Sequence, residues 1–263
     1  MRSKYIITII IFLCVLFIVL FFSLKNLEIE KIESPSFSKL NNTSSTSEKN
    51  IQTKETIILK NLYWNVPCIN NSDIKFTHDF TEIDKISSVE PTIITPGNSR
   101  HRAWLNIKSG QKVAVYAPVD SELISGVYKS ARGATDYDLH FQVSCEIWYL
   151  INHITEPIEK IKNVFPSTPQ TDTRDSPKLS EFIRFKAGEL LGYTTGTPLA
   201  NNFDFGVFDL NHINDQLPAE GNLLYGKEKN FICPFDVLPL ELKNKYYSKL
   251  NPSEIKESNC KEI

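Results

Sequence analysis

Alternation of apolar and polar residues dominates the chain from Thr56 onward, and this pattern predicts strands. The segments "KVAVYAPV" (112–119) and "SELISGVYK" (121–129) both alternate and share the turn residues "PVD", which predicts a hairpin. Further strands are predicted at 136–144, 146–154, 181–185, 190–193 and 203–210. The β-branched and aromatic residues of these segments fit a pleated sheet.

Helical spacing of apolar residues is confined to two short segments. The first, 157–165, begins with a proline, and the second, 239–250, is followed by "NP" as a stop signal. Three prolines and many turn residues predict a loop at 166–178. The expected architecture is therefore one mainly β domain with short helical additions, preceded by an N-terminal extension around Cys68.

The first residues follow a different pattern, because 5–23 is an apolar run without a charged residue. At 1.5 Å per residue such a run crosses about 30 Å of hydrocarbon, so residues 1–25 are predicted to be a transmembrane anchor. Arg2 and Lys4 precede the run, which favours a cytoplasmic N-terminus and a single-pass protein whose C-terminal domain lies outside the cytoplasm. The alternative is a cleaved signal peptide, but no A-x-A-like site follows the run.

Residues 26–55 are rich in Ser, Thr, Asn, Lys and Glu, with few large apolar side chains. Such a segment buries too little apolar surface to offset chain entropy, so it is predicted to be a disordered tether. The extracytoplasmic β-rich domain then spans 56–263. A formal net charge of −2 gives no basic footprint for nucleic acid, so a nucleic-acid partner is not expected.

Five cysteines are present, and Cys14 lies inside the predicted membrane segment. The other four, Cys68, Cys145, Cys233 and Cys260, are an even number that an oxidising compartment could pair. Three pairings are possible, and the sequence does not choose among them. Cys145 has the alternative role of a small buried hydrophobic residue.

Three patterns occur in a fixed order: "LNIKSGQKVAVYAPVDSELIS", then "YLINHI", then "FKAGELLGYTTGT" followed by "NNFDFGVFD". Together they resemble the lysostaphin-like zinc endopeptidases, which cleave peptide cross-links in bacterial cell walls. The resemblance implies the β-roll or barrel called the duplicated hybrid motif, with a peptidase-like core at about 100–210 and a C-terminal helical extension at 236–252. Its best parts are the glycine spacing of Gly188, Gly192 and Gly196 and the "VYAPVD" segment.

The zinc ligands of that family are largely replaced when the resemblance is carried over. Arg102 takes the position of the first His, Asn106 that of the Asp, and Asn202 and Asp204 those of the final His pair. His153 keeps the position of the histidine that assists the attacking water.

A catalytic zinc site needs about three imidazole, carboxylate or thiolate ligands, and of the aligned ligand positions Asp204 alone qualifies. His101 is one residue out of register with Arg102, which in a strand turns its side chain to the other face. No metal or other cofactor is therefore expected.

A second group of polar residues lies outside the aligned positions. Asp136, Asp138 and His140 alternate along one strand and could form a metal or acid–base cluster with His153 of the neighbouring strand. The favoured interpretation is a solvated strand face. The residues of the opposite, apolar face are Tyr137, Leu139 and Phe141. His153 by itself is more typical of a hydrogen-bonded structural histidine than of a catalytic one.

Two classes of function follow. The favoured one is a membrane-anchored, non-catalytic domain that resembles a cell-wall endopeptidase and binds envelope material or a partner protein. The alternative is a divergent metal-dependent hydrolase of the cell envelope that uses His140, His153 and Asp204, and zinc is expected only under this alternative.

Overall fold

The computed structural model describes residues 59–60, 66–95, 98–131, 133–171, 176–215 and 228–260. The predicted anchor at 5–23 and the predicted tether at 26–55 lie outside these residues. Within them, no helix combines the length and the apolar character needed to span a bilayer. All of the described residues belong to the unit Glu55–Ile263.

Short helices accompany the strands of the described residues. The strands are β1 (Leu59–Lys60), β2 (Pro67–Cys68), β3 (Ile86–Glu90), β4 (Ile93–Thr95), β5 (Asn98–Arg100), β6 (Ala103–Ile107), β7 (Val113–Tyr116), β8 (Ser121–Ala131), β9 (Ala134–Gln142), β10 (Ile147–Ile154), β11 (Glu156–Pro157), β12 (Lys178–Phe185), β13 (Leu190–Thr194), β14 (Asn202–Asp209) and β15 (Phe231–Ile232). The helices are α1 (Glu159–Lys162), α2 (Leu240–Tyr247) and the 3-10 helices Ile83–Lys85, Glu228–Asn230 and Ile255–Glu257. The fold is mainly β, as predicted.

An eight-stranded antiparallel sheet forms the centre of the fold, in the order β12-β8-β9-β10-β14-β6-β3, with β15 paired to β14. A three-stranded sheet has the order β11-β13-β7, and β1-β2 and β4-β5 form two small pairs. Side chains from both larger sheets, such as Leu139 and Tyr149 from one and Val113 and Leu191 from the other, belong to one buried core. The core therefore lies between the two sheets.

The predicted hairpin at 112–129 is wrong, because its two strands belong to different sheets. β7 pairs with β13, whereas β8 pairs with β9 and β12. The turn between them is held by other parts of the chain: Gly188 N–H donates to the carbonyl of Ala117, and Thr77 N–H donates to that of Pro118. These bonds satisfy the turn without pairing the strands that flank it, so the chain crosses from one sheet to the other.

The other predicted strands are confirmed as β9, β10, β12, β13 and β14. The predicted helix at 239–250 is confirmed as α2. The helix predicted at 157–165 is shorter than expected, since Pro157 belongs to β11 and only Glu159–Lys162 is α-helical.

The two faces of the large sheet differ in chemistry. Tyr137, Leu139 and Phe141 of β9 point into the main core, as the alternation predicted. The opposite face carries a second apolar cluster with members Val66, Ile124, Trp148, Leu150, Phe208 and Phe231. Beside this cluster the same face carries buried charged residues, which form the candidate site.

Two disulfides select one of the three possible pairings: Cys68 bonds to Cys145, and Cys233 bonds to Cys260. Cys145 is therefore a bridging residue and not a free buried thiol. The first bridge joins β2 to the turn between β9 and β10, and the second joins the residue after β15 to the C-terminal segment.

Candidate functional site

Six charged or titratable side chains meet on the polar part of the large sheet, on or next to five strands. Lys129 lies on β8, Asp136 and Asp138 on β9, His153 on β10, Asp204 on β14, and Arg102 immediately before β6. Register brings them together, since Lys129 pairs with Asp136 across β8 and β9, and Asn152, next to His153, pairs with Asp204. We call this group the charge network.

One half of the network is centred on the carboxylate of Asp204, whose side chain is only 6% exposed. Arg102 Nη1 lies 3.3 Å from Asp204 Oδ2, and His153 Nε2 lies 3.7 Å from the same oxygen. The guanidinium is 30% exposed and the imidazole 21%, so both cationic groups lie closer to solvent than the carboxylate. The positions aligned with two zinc ligands are thus joined to each other as an ion pair.

Gly206 leaves room for the Arg102 side chain next to β14. A Cβ at Gly206 would come within 3.1 Å of Arg102 Cγ and of the carbonyl oxygen of His101. Such contacts are tighter than ordinary van der Waals packing, so a larger residue at this position would move the arginine. The glycine therefore leaves the space that the Arg102 side chain crosses to reach Asp204.

The other half of the network is centred on Lys129. Its Nζ lies 2.5 Å from Asp138 Oδ2 and 3.5 Å from Asp136 Oδ1. The second oxygen of Asp136 lies 2.9 Å from His153 Nδ1. Each ring nitrogen of His153 therefore faces a carboxylate, an arrangement that the doubly protonated imidazolium satisfies best because both of its nitrogens carry a proton.

The backbone of His153 has an unusual conformation that orients its ring. Its φ is 68°, in the left-handed region, and the pairing of β10 with β9 shifts register at this point. The amide N–H of His153 donates to Asp138 Oδ1, and its carbonyl accepts a hydrogen bond from Thr194 Oγ1 of β13. Positive φ in a residue other than glycine costs energy unless its surroundings hold it in place, as these contacts do.

The pKa of two network members is shifted. Burial opposes protonation of His153, but the hydrogen bond to Asp136 and the charges of Asp204 and Asp138 outweigh it and raise the pKa of the imidazole. Burial raises the pKa of Asp204 despite the opposing charges of Arg102 and His153. With His153 protonated, three cations balance three carboxylates. The network is then electrically neutral.

The raised pKa of His153 predicts a pH-dependent stability. A histidine whose pKa is higher in the folded chain than its ordinary value of 6.5 stabilises the fold below that value, and the contribution is lost as pH rises through the folded pKa. The free energy of unfolding of the full chain in detergent should therefore fall as pH rises from the ordinary histidine pKa of 6.5 through the higher pKa of the folded chain. Denaturant titrations of the wild type and of His153→Gln measure this. Equal pH slopes in the two proteins would refute the assignment.

The two aligned asparagines lie outside the charge network. Asn106 Nδ2 donates to Ser88 Oγ at 3.0 Å, and Asn202 Oδ1 accepts from Thr197 Oγ1 at 3.0 Å. Both amides are thus engaged in local hydrogen bonds. The structure brings together Arg102, His153 and Asp204 of the aligned positions, and it places Asn106 and Asn202 elsewhere.

His140, the fourth residue proposed for the second cluster, has neighbours outside the charge network. It pairs across the sheet with Leu150, and its ring centroid lies 5.9 Å from that of Trp148. His140 interacts electrostatically with His101, whose pKa is lowered chiefly by burial. The group of potential metal ligands that the described residues bring together is Asp136, Asp138 and His153.

The interpretation of Asp136 and Asp138 as a solvated face is wrong, since both are only 7% exposed. The two carboxylates can be buried because Lys129 neutralises their charge, and the sequence analysis did not identify this lysine. The lysine ends the predicted strand 121–129, and only the antiparallel register of β8 with β9 places it opposite Asp136. The alternation of β8 predicts that Lys129 lies in a strand, but it does not show that this strand pairs with β9 and places the lysine beside Asp136.

The residues at the aligned positions do not fit a catalytic zinc ion. Asp204 and His153 could donate to a metal, but the Arg102 guanidinium contacts the same carboxylate oxygen and would repel a dication there. Asn106 and Asn202 are amides held by other partners. This half of the network is an ion pair that joins β14 to the residue before β6. It does not supply the groups for a hydrolytic step.

Comparison with known proteins gives little further guidance. No protein-family model matches the chain, and no curated protein matches it. A chain of the crystal structure of the SpoIIIAH and SpoIIQ complex is similar at 13% identity and a TM-score of 0.31, covering 65% of this chain and 96% of that one. A likeness this weak supports no conclusion about the fold or the function of the present chain.

Proposed function

We propose that the chain is a membrane-anchored, extracytoplasmic domain that binds a partner protein or envelope material without hydrolysing it. The observation that carries this proposal is the Arg102–Asp204 ion pair at the positions that the resemblance aligns with zinc ligands. A scaffold similar to the lysostaphin-like endopeptidases would keep its surface for binding while lacking a metal. This step rests on resemblance of motifs, because fold alone does not determine function.

The proposed location rests on two features. The apolar run at 5–23 is long enough to span a bilayer. The two disulfides of the domain are typical of an oxidising compartment. A membrane-impermeant lysine reagent added to intact cells should label the domain. Labelling only after lysis would place it in the cytoplasm instead.

A second candidate function is a divergent metal-dependent hydrolase of the cell envelope. The specific observation in its favour is the proximity of Asp136, Asp138 and His153, whose potential ligand atoms lie within 4.8 Å of one another. His140, which the sequence analysis included in this cluster, lies next to Trp148 and would have to turn toward the other three residues to bind the same metal. The two candidates differ in whether catalysis occurs and whether a chelator stops it.

The test uses full-length protein in detergent and isolated envelopes of the source organism. We expect no release of soluble fragments, with or without added zinc, and co-sedimentation of the protein with envelopes. Digestion of the bound fraction separately with protease and with muralytic enzyme distinguishes a protein partner from a wall polymer. Chelator-sensitive fragment release that His153→Ala abolishes would select the hydrolase, and neither binding nor release would contradict both candidates.

A further inference from the structure

The carboxylates of Asp136 and Asp138 on β9 and the imidazole of His153 on β10 form a cluster of potential metal ligands, which we call the pocket. It shares His153 with the aligned positions but not Arg102 or Asp204. Asp136, Asp138 and His153 each offer one potential ligand atom, and these atoms lie within 4.8 Å of one another. The side chains of Asp136 and Asp138 are nine-tenths buried. Two carboxylates and one imidazole are a donor set that suits divalent transition metals.

A positive charge already lies in this pocket. Lys129 extends from β8, directly opposite Asp136 in the register, and its ammonium contacts both carboxylates. Asp136 Oδ1 has no hydrogen-bond partner among the described residues and faces Lys129 Nζ at 3.5 Å. The interaction of this oxygen with Lys129 is therefore electrostatic, and the oxygen can still bind a cation that lies closer to it.

We propose that Lys129 is the resident cation of this pocket and that it excludes a divalent metal ion from Asp136, Asp138 and His153. An ammonium and a dication repel each other strongly at such separations in a poorly solvated site. A metal could enter only by displacing a lysine that is itself paired with two buried carboxylates, which is costly. Without the lysine, the two carboxylates outnumber the protonated His153, and the excess negative charge attracts a cation. A bound metal then displaces the proton of His153.

The experiment replaces the lysine by an apolar residue that offers no ligand atom, in the full chain purified in detergent. Lys129→Leu should bind one cobalt(II) ion per chain at least about 100-fold more tightly than the wild type, since the displacement cost is gone. Ligand-field absorption of cobalt and calorimetric titration with zinc measure this. Added metal should also raise the unfolding temperature of Lys129→Leu but not that of the wild type.

Two further variants separate the pocket from indirect effects. Lys112→Leu is the matched control, because Lys112 is also a paired lysine, but its partner Glu156 is exposed. It should bind cobalt no better than the wild type. Lys129→Leu combined with Asp136→Asn removes both the cation and one ligand, and it should lose most of the gained affinity while remaining folded.

The proposal is overturned by equal cobalt affinity in the wild type and in Lys129→Leu, or by a gain that survives Asp136→Asn. A Lys129→Leu chain that folds only when metal is present supports it, because metal binding then supplies the missing charge. A chain that fails to fold both with and without metal contradicts it. None of these readouts involves hydrolysis or a partner, so this inference and the proposed function can fail separately.

Discussion

Removal of the Cys68–Cys145 bridge by replacing both cysteines with alanine should lower the free energy of unfolding by about 4–5 kcal/mol. The bridge joins residues separated by 77 positions, so it strongly restricts the unfolded chain. It also fixes the short strand β2 beside the β9–β10 turn, where Gln142 Nε2 donates to the carbonyl of Pro67. Denaturant titration of the full chain in detergent measures the loss.

The second bridge provides the comparison. Cys233 and Cys260 are separated by 27 positions, and their removal should cost about 1 kcal/mol less through chain entropy. Cys145→Ala alone should destabilise as much as the double replacement, since either change breaks the bond. A single replacement without effect would show that the Cys68–Cys145 bond does not contribute in solution.

Replacing Arg102 by methionine should destabilise the fold by about 3 kcal/mol. The change leaves the Asp204 carboxylate buried without its guanidinium partner, and burial already raises the pKa of that carboxyl. Adding Asp204→Asn should restore much of the loss, because no unpaired charge remains. Denaturant titrations of the single and double variants at neutral pH give the coupling between the two residues.

Arg184→Met is the matched control. Arg184 also pairs with a carboxylate, that of Glu122, but its side chain is 89% exposed. Exposed pairs contribute little, so this change should cost no more than about 0.5–1 kcal/mol. Equal losses from Arg102→Met and Arg184→Met would contradict the special role given to the buried pair.

The strands were predictable where one face is apolar throughout. In β9, Tyr137, Leu139 and Phe141 alternate with polar residues, and all three point into the core. β10, which is buried on nearly its whole length, was instead located by its run of β-branched and aromatic residues. The prediction from alternation had one failure. At 112–129 the prediction was wrong, because two alternating segments joined by a turn are typical of a hairpin. In the structure, the turn between β7 and β8 accepts hydrogen bonds from Thr77 and Gly188, and the two strands belong to different sheets. Such distant partners leave no local trace in the sequence.

The candidate site was predictable only in part. The motif resemblance selected Arg102, His153 and Asp204, and these converge on one carboxylate oxygen. It also selected Asn106 and Asn202, which bond to Ser88 and Thr197 instead.

The alternation that grouped Asp136 with Asp138 could not show that they are buried, because their burial depends on Lys129 from another strand. Whether a lysine lies beside these buried carboxylates depends on the register between β8 and β9. The neutralisation of their charge becomes visible only once the pairing of β8 with β9 is known.

Zinc content tests the account most directly. The full chain, produced in zinc-supplemented cells and purified without chelator, should contain far less than one zinc ion per molecule, because Arg102 and Lys129 hold the carboxylates that a metal would need. One tightly held zinc per chain that is lost on replacement of His153 or Asp204 would contradict it. The domain would then be a metal-dependent protein.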